Sequence, residues 1–327
     1  MRFLLRRAAF FVLTLWACVT LNFLLPRLMP GNPAIALLAK FHGRLSPVAL
    51  KAIEIAFGVN TKQNLAAQYI GYLHDLVTGN LGTSLTFFPT PVSVVIRGAI
   101  LYTLGLVGVT TILAFILGTL IGIVGAWRRG GWLDSILPPV FVITSAIPYF
   151  WVGMLLILVF GIQLHWFPYD FAYDPSLSPS LSPSFIGNVI EHSILPAVAI
   201  LITSIGGWIL TMRNTMITTL AEDYVKMARA KGLSGRRIML DYAARNAILP
   251  NLSGFAMSVG FIVSGAVLVE FVFNYNGLGY LLVQALDAED YPLMQALFLL
   301  ITVAVLVAIL LADIVTAILD PRTRSAG

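Results

Sequence analysis

The chain has 327 residues, of which 58% are hydrophobic and 11% charged, with a formal net charge of +5 and a mean hydropathy of +0.90. Soluble globular domains carry about 25% charged residues, so the composition excludes a water-soluble fold of this size and makes the bilayer the natural solvent. The single cysteine, Cys18, excludes an internal disulfide and says nothing of redox compartment.

A spanning helix needs roughly 20 mostly apolar residues. Six segments qualify, at 8–28, 101–127, 136–161, 194–212, 252–273 and 296–319. The expectation is an all-α polytopic membrane protein with six transmembrane helices. The first segment follows Arg2, Arg6 and Arg7, as a signal peptide would. It runs on into Pro26-Arg27-Leu28-Met29-Pro30 without a small-x-small cleavage site, and it reads as a retained helix. The organisation expected is an N-terminus with the first helix (1–28), an external loop with short helices (29–100), and a core domain (101–327) holding helices two to six and a cytoplasmic loop at 213–250.

Within the long loop, 46–56 reads as a helix with Ser46 at its cap and Pro47 in its first turn, and 64–76 as another. Further on, Trp166, Phe167 and Tyr169 suit an interfacial aromatic belt. The Pro-Ser-Leu-Ser repeats of 174–185 predict an extended spacer.

The basic residues explain the net charge as a topology signal, not as nucleic-acid affinity. Fourteen of the 20 Lys and Arg fall at the N-terminus, at Arg128 and Arg129, in the 213–250 loop, and at Arg322 and Arg324. The connections at 162–193 and 274–295 have none. Because basic residues crowd cytoplasmic loops, both termini are expected in the cytoplasm of a bacterial inner-membrane protein.

Chemical motifs are sparse. The dipeptide Gly-Lys never occurs, so the chain carries no P-loop. His42, His74, His165 and His192 map outside the spans, at no short metal-ligand spacing. Glu270 and Asp313 are the only carboxylates inside spans, each near an end, which makes a poor ion pathway for a secondary transporter. Ser145, Ser204 and Ser264 lack a histidine in their own spans, so helix-packing roles explain them better than hydrolysis does.

The cytoplasmic loop is the informative segment. Thr219-Leu220-Ala221-Glu222 fits a capping box opening a short helix that ends at Gly232, with Lys231 in its last turn. Ser234 is expected to cap a second helix running toward Asn246. The result is an elbow in which small Ala228 and Ala230 permit close approach of a partner, while Lys226, Arg229 and Lys231 orient it. An amphipathic segment lying on anionic lipid is the alternative.

The tract Tyr224-Val225-Lys226-Met227-Ala228-Arg229-Ala230-Lys231-Gly232-Leu233-Ser234, followed by Ala244-Arg245-Asn246-Ala247-Ile248-Leu249-Pro250, resembles the "EAA" signature of binding-protein-dependent ABC importer permeases. It is most similar to the peptide/nickel branch. Lys226 stands in place of the acidic residue that names the motif. The stretches 28–33, 79–84, 147–153, 270–273, 277–279, 290–292 and 320–322 resemble the same family, with Asn276 where a proline is frequent. The N-terminal pattern resembles its B-type subunit.

The resemblance implies an ABC type I importer permease fold with a long external loop after helix one. The chain would form half of a pore for dipeptides or oligopeptides; oligosaccharides, nickel chelates and glutathione are alternatives within the family. Its partners would be a second homologous permease, two ATPase subunits that bind ATP and Mg, and an external solute-binding lipoprotein, with membrane lipid around them. Glu222, Tyr224, Ala228, Arg229, Ala230, Lys231, Gly232 and Leu233 would couple to an ATPase. Glu270 and Phe273 would serve a gate, Glu270 by hydrogen bonding across the permease pair. No cofactor, catalytic residue or metal is expected in this chain itself.

The charge pattern yields a first prediction. Single cysteines at Ser178 and Ala288, in a Cys18→Ala background, react with impermeant thiol reagents in intact cells lacking an outer barrier, and one at Ser234 does not. Labelling at Ser234 in sealed cells would reverse the orientation.

Overall fold

The structure is a computed structural model that describes residues 2–28, 64–263 and 266–319. The described residues form helices joined by turns, with one isolated bridge between Thr83 and Pro91. The helices are α1 (Arg2–Leu28), α2 (Leu65–Thr78), α3 (Val92–Trp127), α4 (Trp132–Ala146), α5 (Tyr149–Gln163) and α6 (Pro183–Leu220). They continue with α7 (Asp223–Ala230), α8 (235–247), α9 (Leu249–Phe261), α10 (Val267–Val272), α11 (Leu278–Asp287) and α12 (Tyr291–Leu319).

Each apolar segment lies on helix, but six uninterrupted spans are not what the structure shows. Among the described residues, three helices are long and apolar enough to cross a membrane: α3, α6 and the 291–312 part of α12. A fourth span results if 138–146 of α4 and all of α5, bent by 89° at their junction, count as one. The bend has a local cause. Ile147 is extended (ψ 127°), as a residue before proline prefers, and Pro148 follows at ψ 131°. The expected fifth span is also divided, into α9 and α10.

The other helix ends show how far sequence signals carry. Asn64 caps α2 by accepting a hydrogen bond from Ala67 N–H (2.8 Å). Ser182 accepts from Phe185 N–H (3.3 Å), so the spacer ends there and Pro183 opens α6. With 36 and 38 residues, α3 and α6 outrun the bilayer core, since at 1.5 Å rise per residue each exceeds roughly 50 Å. The expected helix at 46–56, His42, Ser264 and the side chain of Asp313 lie outside the described residues.

The longest packing seam joins α3 to α6. Gly118, Gly122 and Ala126 recur every four residues and form a small-residue stripe that lets the backbones approach. A Cβ on Gly122 would lie 2.8 Å from the Ile209 carbonyl oxygen, and one on Gly118 2.5 Å from Trp208 Cβ. On the other flank, Gly260 of α9 admits Ala308 of α12. α1 joins this layer through Asn22, which donates to the Gln295 carbonyl (2.7 Å) and accepts on its own carbonyl from Gln295 Nε2 (3.2 Å).

Because any β-carbon at Gly122 strikes backbone, Gly122→Val forces α3 and α6 apart at an overpacking cost of about 1–3 kcal/mol. The expected outcome is a lower thermal midpoint for the detergent-purified protein. A midpoint equal to the wild type would contradict the close seam.

Candidate functional site

The elbow begins where α6 stops. The Thr219 hydroxyl bonds back to the Thr215 carbonyl (2.7 Å), which keeps Thr219 inside α6. The expected capping box is therefore absent. Glu222 is itself the cap residue of α7, extended at ψ 148° and making no side-chain cap bond. Asp223 supplies the acidic first turn that the helix dipole favours. The hydrogen bond from Lys226 Nζ (2.9 Å) holds the Asp223 carboxyl below its usual range.

α7 buries Val225 and Ala228 against Ile238, with Trp127, Leu220, Leu233 and Tyr242 packed around them. Ala228 is thus interior to the elbow, and the close approach it permits is made by the chain's own α8 and not by a partner. The helix stops at Gly232, at φ +73°. Gly232 N–H donates to the Arg229 carbonyl (2.9 Å), and Leu233 N–H to the Ala228 carbonyl (3.3 Å). This is a Schellman stop, completed by the half-buried Leu233 against the α7 cluster. No atom lies within 4 Å of where a Cβ on Gly232 would sit, so the requirement for glycine is one of backbone conformation alone.

Ser234 takes the extended cap conformation (ψ 144°) but makes no side-chain cap bond. α8 then passes through a π-helical stretch, Ile238–Ala244. It seats Ala243, Ala244 and Ala247 against Ile123, Ala126, Met212 and Met216. The Thr215 hydroxyl donates to the Ala247 carbonyl (2.9 Å). The elbow is in this way fixed to the ends of both α3 and α6.

Its outward face carries Tyr224, Met227, Ala230 and Lys231, with Glu222 and Arg229 also exposed. Met227 is 59% exposed and was not among the residues singled out from the sequence. The signal was there: the spacing of Val225 and Ala228 sets the buried side, and Tyr224 with Met227 repeats the same interval beside it. Tyr224 Oη accepts a hydrogen bond from Asn246 Nδ2 (3.0 Å), which steadies the ring against α8.

At the other end of the chain's core, Glu270 is fully buried. Its Oε1 accepts from the Thr103 hydroxyl (2.8 Å), and its Oε2 accepts from the backbone N–H groups of Gly279 (2.7 Å) and Tyr280 (3.3 Å). The Thr103 oxygen in turn accepts from Leu278 N–H (2.7 Å). Both carboxylate oxygens are thus engaged inside this chain, at the N-terminus of α11. A bond across a subunit pair is not part of this arrangement. Phe273 is buried as well, against Gly153 of α5 and Tyr275.

Asp290 repeats the device. It is fully buried, accepts from Leu293 N–H (3.1 Å) at the start of α12, and also accepts from the Ser84 hydroxyl and Thr86 N–H (2.8 Å). Asn276, at the position that departs from the family pattern, accepts from Ala172 N–H (3.0 Å) and ties the α5–α6 connection to the α10–α11 corner.

Residues 118–325 match the family model for the binding-protein-dependent transport system inner membrane component. The chain belongs to that family. It is 31% identical over 323 residues to the dipeptide transport system permease protein of Lactococcus lactis subsp. cremoris, with 99% of each chain covered. It is 32% identical over 320 residues to the oligopeptide transport system permease protein of Bacillus subtilis, covering 98% of each. The glutathione transport system permease protein of Salmonella typhi is 31% identical over 324 residues, with 99% of each chain covered.

This inner-membrane component is therefore a multi-pass, all-α permease of a binding-protein-dependent transport system. Its helix bundle presents no group of His, Cys, Asp and Glu placed to hold a metal among the described residues. His192 Nδ1 instead lies 2.9 Å from the Asp170 carbonyl, fastening the chain between α5 and α6 to α6.

Glu270→Gln tests the anchor. One acceptor becomes an amide donor facing backbone or hydroxyl donors, at a cost of roughly 1–3 kcal/mol for a buried unsatisfied group. A reduced thermal midpoint is expected, with Glu270→Ala lower still. Wild-type stability in both variants would show that the carboxylate does not hold α11.

Proposed function

We propose that the chain is a permease subunit of an ATP-driven importer of dipeptides or oligopeptides. It would pair with a second, homologous permease to form the pore. Two ATPase subunits on the cytoplasmic side would bind the ATP and Mg, and an external solute-binding lipoprotein would deliver the solute. Both termini then lie in the cytoplasm of a bacterial inner membrane. The relatives named for dipeptide and oligopeptide transport support the solute class, and the glutathione permease relative supports a short-peptide solute equally well.

The observation that carries the mechanism is the elbow. It is packed to the ends of α3 and α6 and turns an exposed Tyr224–Met227–Lys231 face outward. A face of that kind, docked on an ATPase subunit, passes displacement directly into two long helices. ATP binding shifts the balance between two global states of the permease, and a rigid elbow moves with it as a unit. Glu222, Arg229, Ala230 and Lys231 belong to the docking surface, whereas Ala228, Gly232 and Leu233 shape it from within. Glu270 and Phe273 contribute to an external gate by holding α10 and α11 in place, not by bridging subunits.

Gly232→Val tests this coupling role. The left-handed conformation costs an L-residue on the order of 1–2 kcal/mol, and a β-branched side chain more. The variant is expected in the membrane at near-normal abundance, with most solute uptake lost and ATPase association weakened. A segment that merely lies on lipid needs no such turn, so normal uptake at matched expression would remove the coupling role.

A further inference from the structure

Beside the elbow lies a cavity of about 300 Å³, at the low end of the range for ligand sites. Three elements wall it: the end of α3 with the turn that follows, the end of α6, and the last turn of α7. Trp127, Ile217 and Leu220 supply an apolar wall, and Arg129 and Arg229 line it from two separate elements. No acidic residue lines it. Both arginines are exposed, and neither has a carboxylate partner among the described residues. The nearby carboxylates of the elbow face other cations, Asp223 facing Lys226 (2.9 Å) and Asp241 facing Arg237 (3.8 Å). A cation at a helix C-terminus suits the dipole, which accounts for one arginine at the end of α3 and one at the end of α7. It does not account for both lining one cavity without an acid. Two such guanidinium forks match the oxygens of a phosphate, which each binds through two parallel hydrogen bonds.

What leads to the cavity decides the source of the anion. On α3, Leu113, Leu117, Leu120 and Val124 are each 40% exposed or more. At 3.6 residues per turn these positions fall on one face, and Trp127 continues it. An open apolar face therefore runs along the spanning helix and ends on the wall beside the arginines. An acyl chain lies along such a face in a bilayer. Its headgroup then arrives where the apolar run gives way to aromatic and basic side chains, the composition of a membrane interface. A free phosphate would use the arginines alone, whereas a phospholipid uses the arginines and the face that leads to them.

We infer that this cavity binds the phosphate of an anionic phospholipid between Arg129 and Arg229, with an acyl chain along α3. The site goes beyond the transport reading and needs neither solute nor ATPase. Its two arginines stand at the end of α3 and on α7, so a shared phosphate ties the elbow to the long helix from outside. The buried contacts of Val225 and Ala228, with Trp127 packed against them, fix the same junction from within. Arg129 has no part in the docking face, which makes it the residue to change.

The test titrates the full chain, purified in detergent and stripped of lipid, with phosphatidylglycerol or phosphatidylcholine and reads binding by native mass spectrometry. Phosphatidylglycerol is expected to bind more tightly than phosphatidylcholine. Arg129→Gln is expected to weaken phosphatidylglycerol binding about ten-fold, as loss of one charge-assisted contact would. Arg236→Gln, which removes an exposed charge outside the cavity, leaves it unchanged. A second measurement needs no variant: phosphatidylglycerol carrying a diazirine beside its phosphate, irradiated with the wild-type chain, labels the peptides holding Trp127 and Leu220. Equal binding of the two lipids, equal binding by wild type and Arg129→Gln, or label confined to other helices would overturn the site. Inorganic phosphate binding as tightly as phosphatidylglycerol would overturn the lipid assignment. Loss of the bound lipid when ATPase subunits assemble on the chain would give the arginines to a partner's carboxylate instead, and would overturn it too.

Discussion

Two carboxylates buried in an apolar bundle, with no cation beside them among the described residues, set the terms for the region of this permease around α10 and α11. An isolated buried carboxylate costs several kcal/mol or more, and so do the unpaired N–H groups that open a helix in a medium without water. Glu270 and Asp290 set these two liabilities against each other. Each carboxylate takes backbone N–H groups at a helix start, where the dipole also favours negative charge. Each then adds a distant hydroxyl: Thr103 of α3 for Glu270, and Ser84 of the α2–α3 connection for Asp290. The Glu270 bonds tie α10 to the start of α11, in addition to the apolar packing of Val269, Leu278 and Leu281.

The elbow and the two long helices it joins are built on the opposite principle, dense packing of small residues. Gly118, Gly122 and Ala126 bring α3 against α6, and Ala243, Ala244 and Ala247 bring α8 against both. Close-packed interfaces of this kind hold discrete arrangements and do not deform continuously. If the elbow is displaced, α3 and α6 are continuous helices through which the motion would pass.

Much of this was legible in the residues. The apolar runs locate the helices, Asn64 announces the start of α2, and Gly232 marks a stop whose left-handed geometry the structure shows. What was not legible is non-local or competitive. Thr103 and Glu270 are 167 positions apart and Ser84 and Asp290 are 206, and no spacing rule reveals such partners. Thr219 has the residue type of a cap, yet its hydroxyl is taken by the preceding turn, so α6 runs one residue past it. Ala228 looks like a docking residue because it is small, whereas the amphipathic interval with Val225 turns it inward. The division of the third segment was readable from Ile147-Pro148.

The central claim is that the elbow's exposed face meets an ATPase subunit and transmits its motion. A photo-reactive benzoylphenylalanine placed at Met227, irradiated in membranes containing the complete transport system, tests it most directly. The account predicts a covalent adduct with the ATPase subunit, with a yield that changes between nucleotide-free and ATP-trapped states. Adducts with lipid only, or an ATPase adduct indifferent to nucleotide, would contradict it.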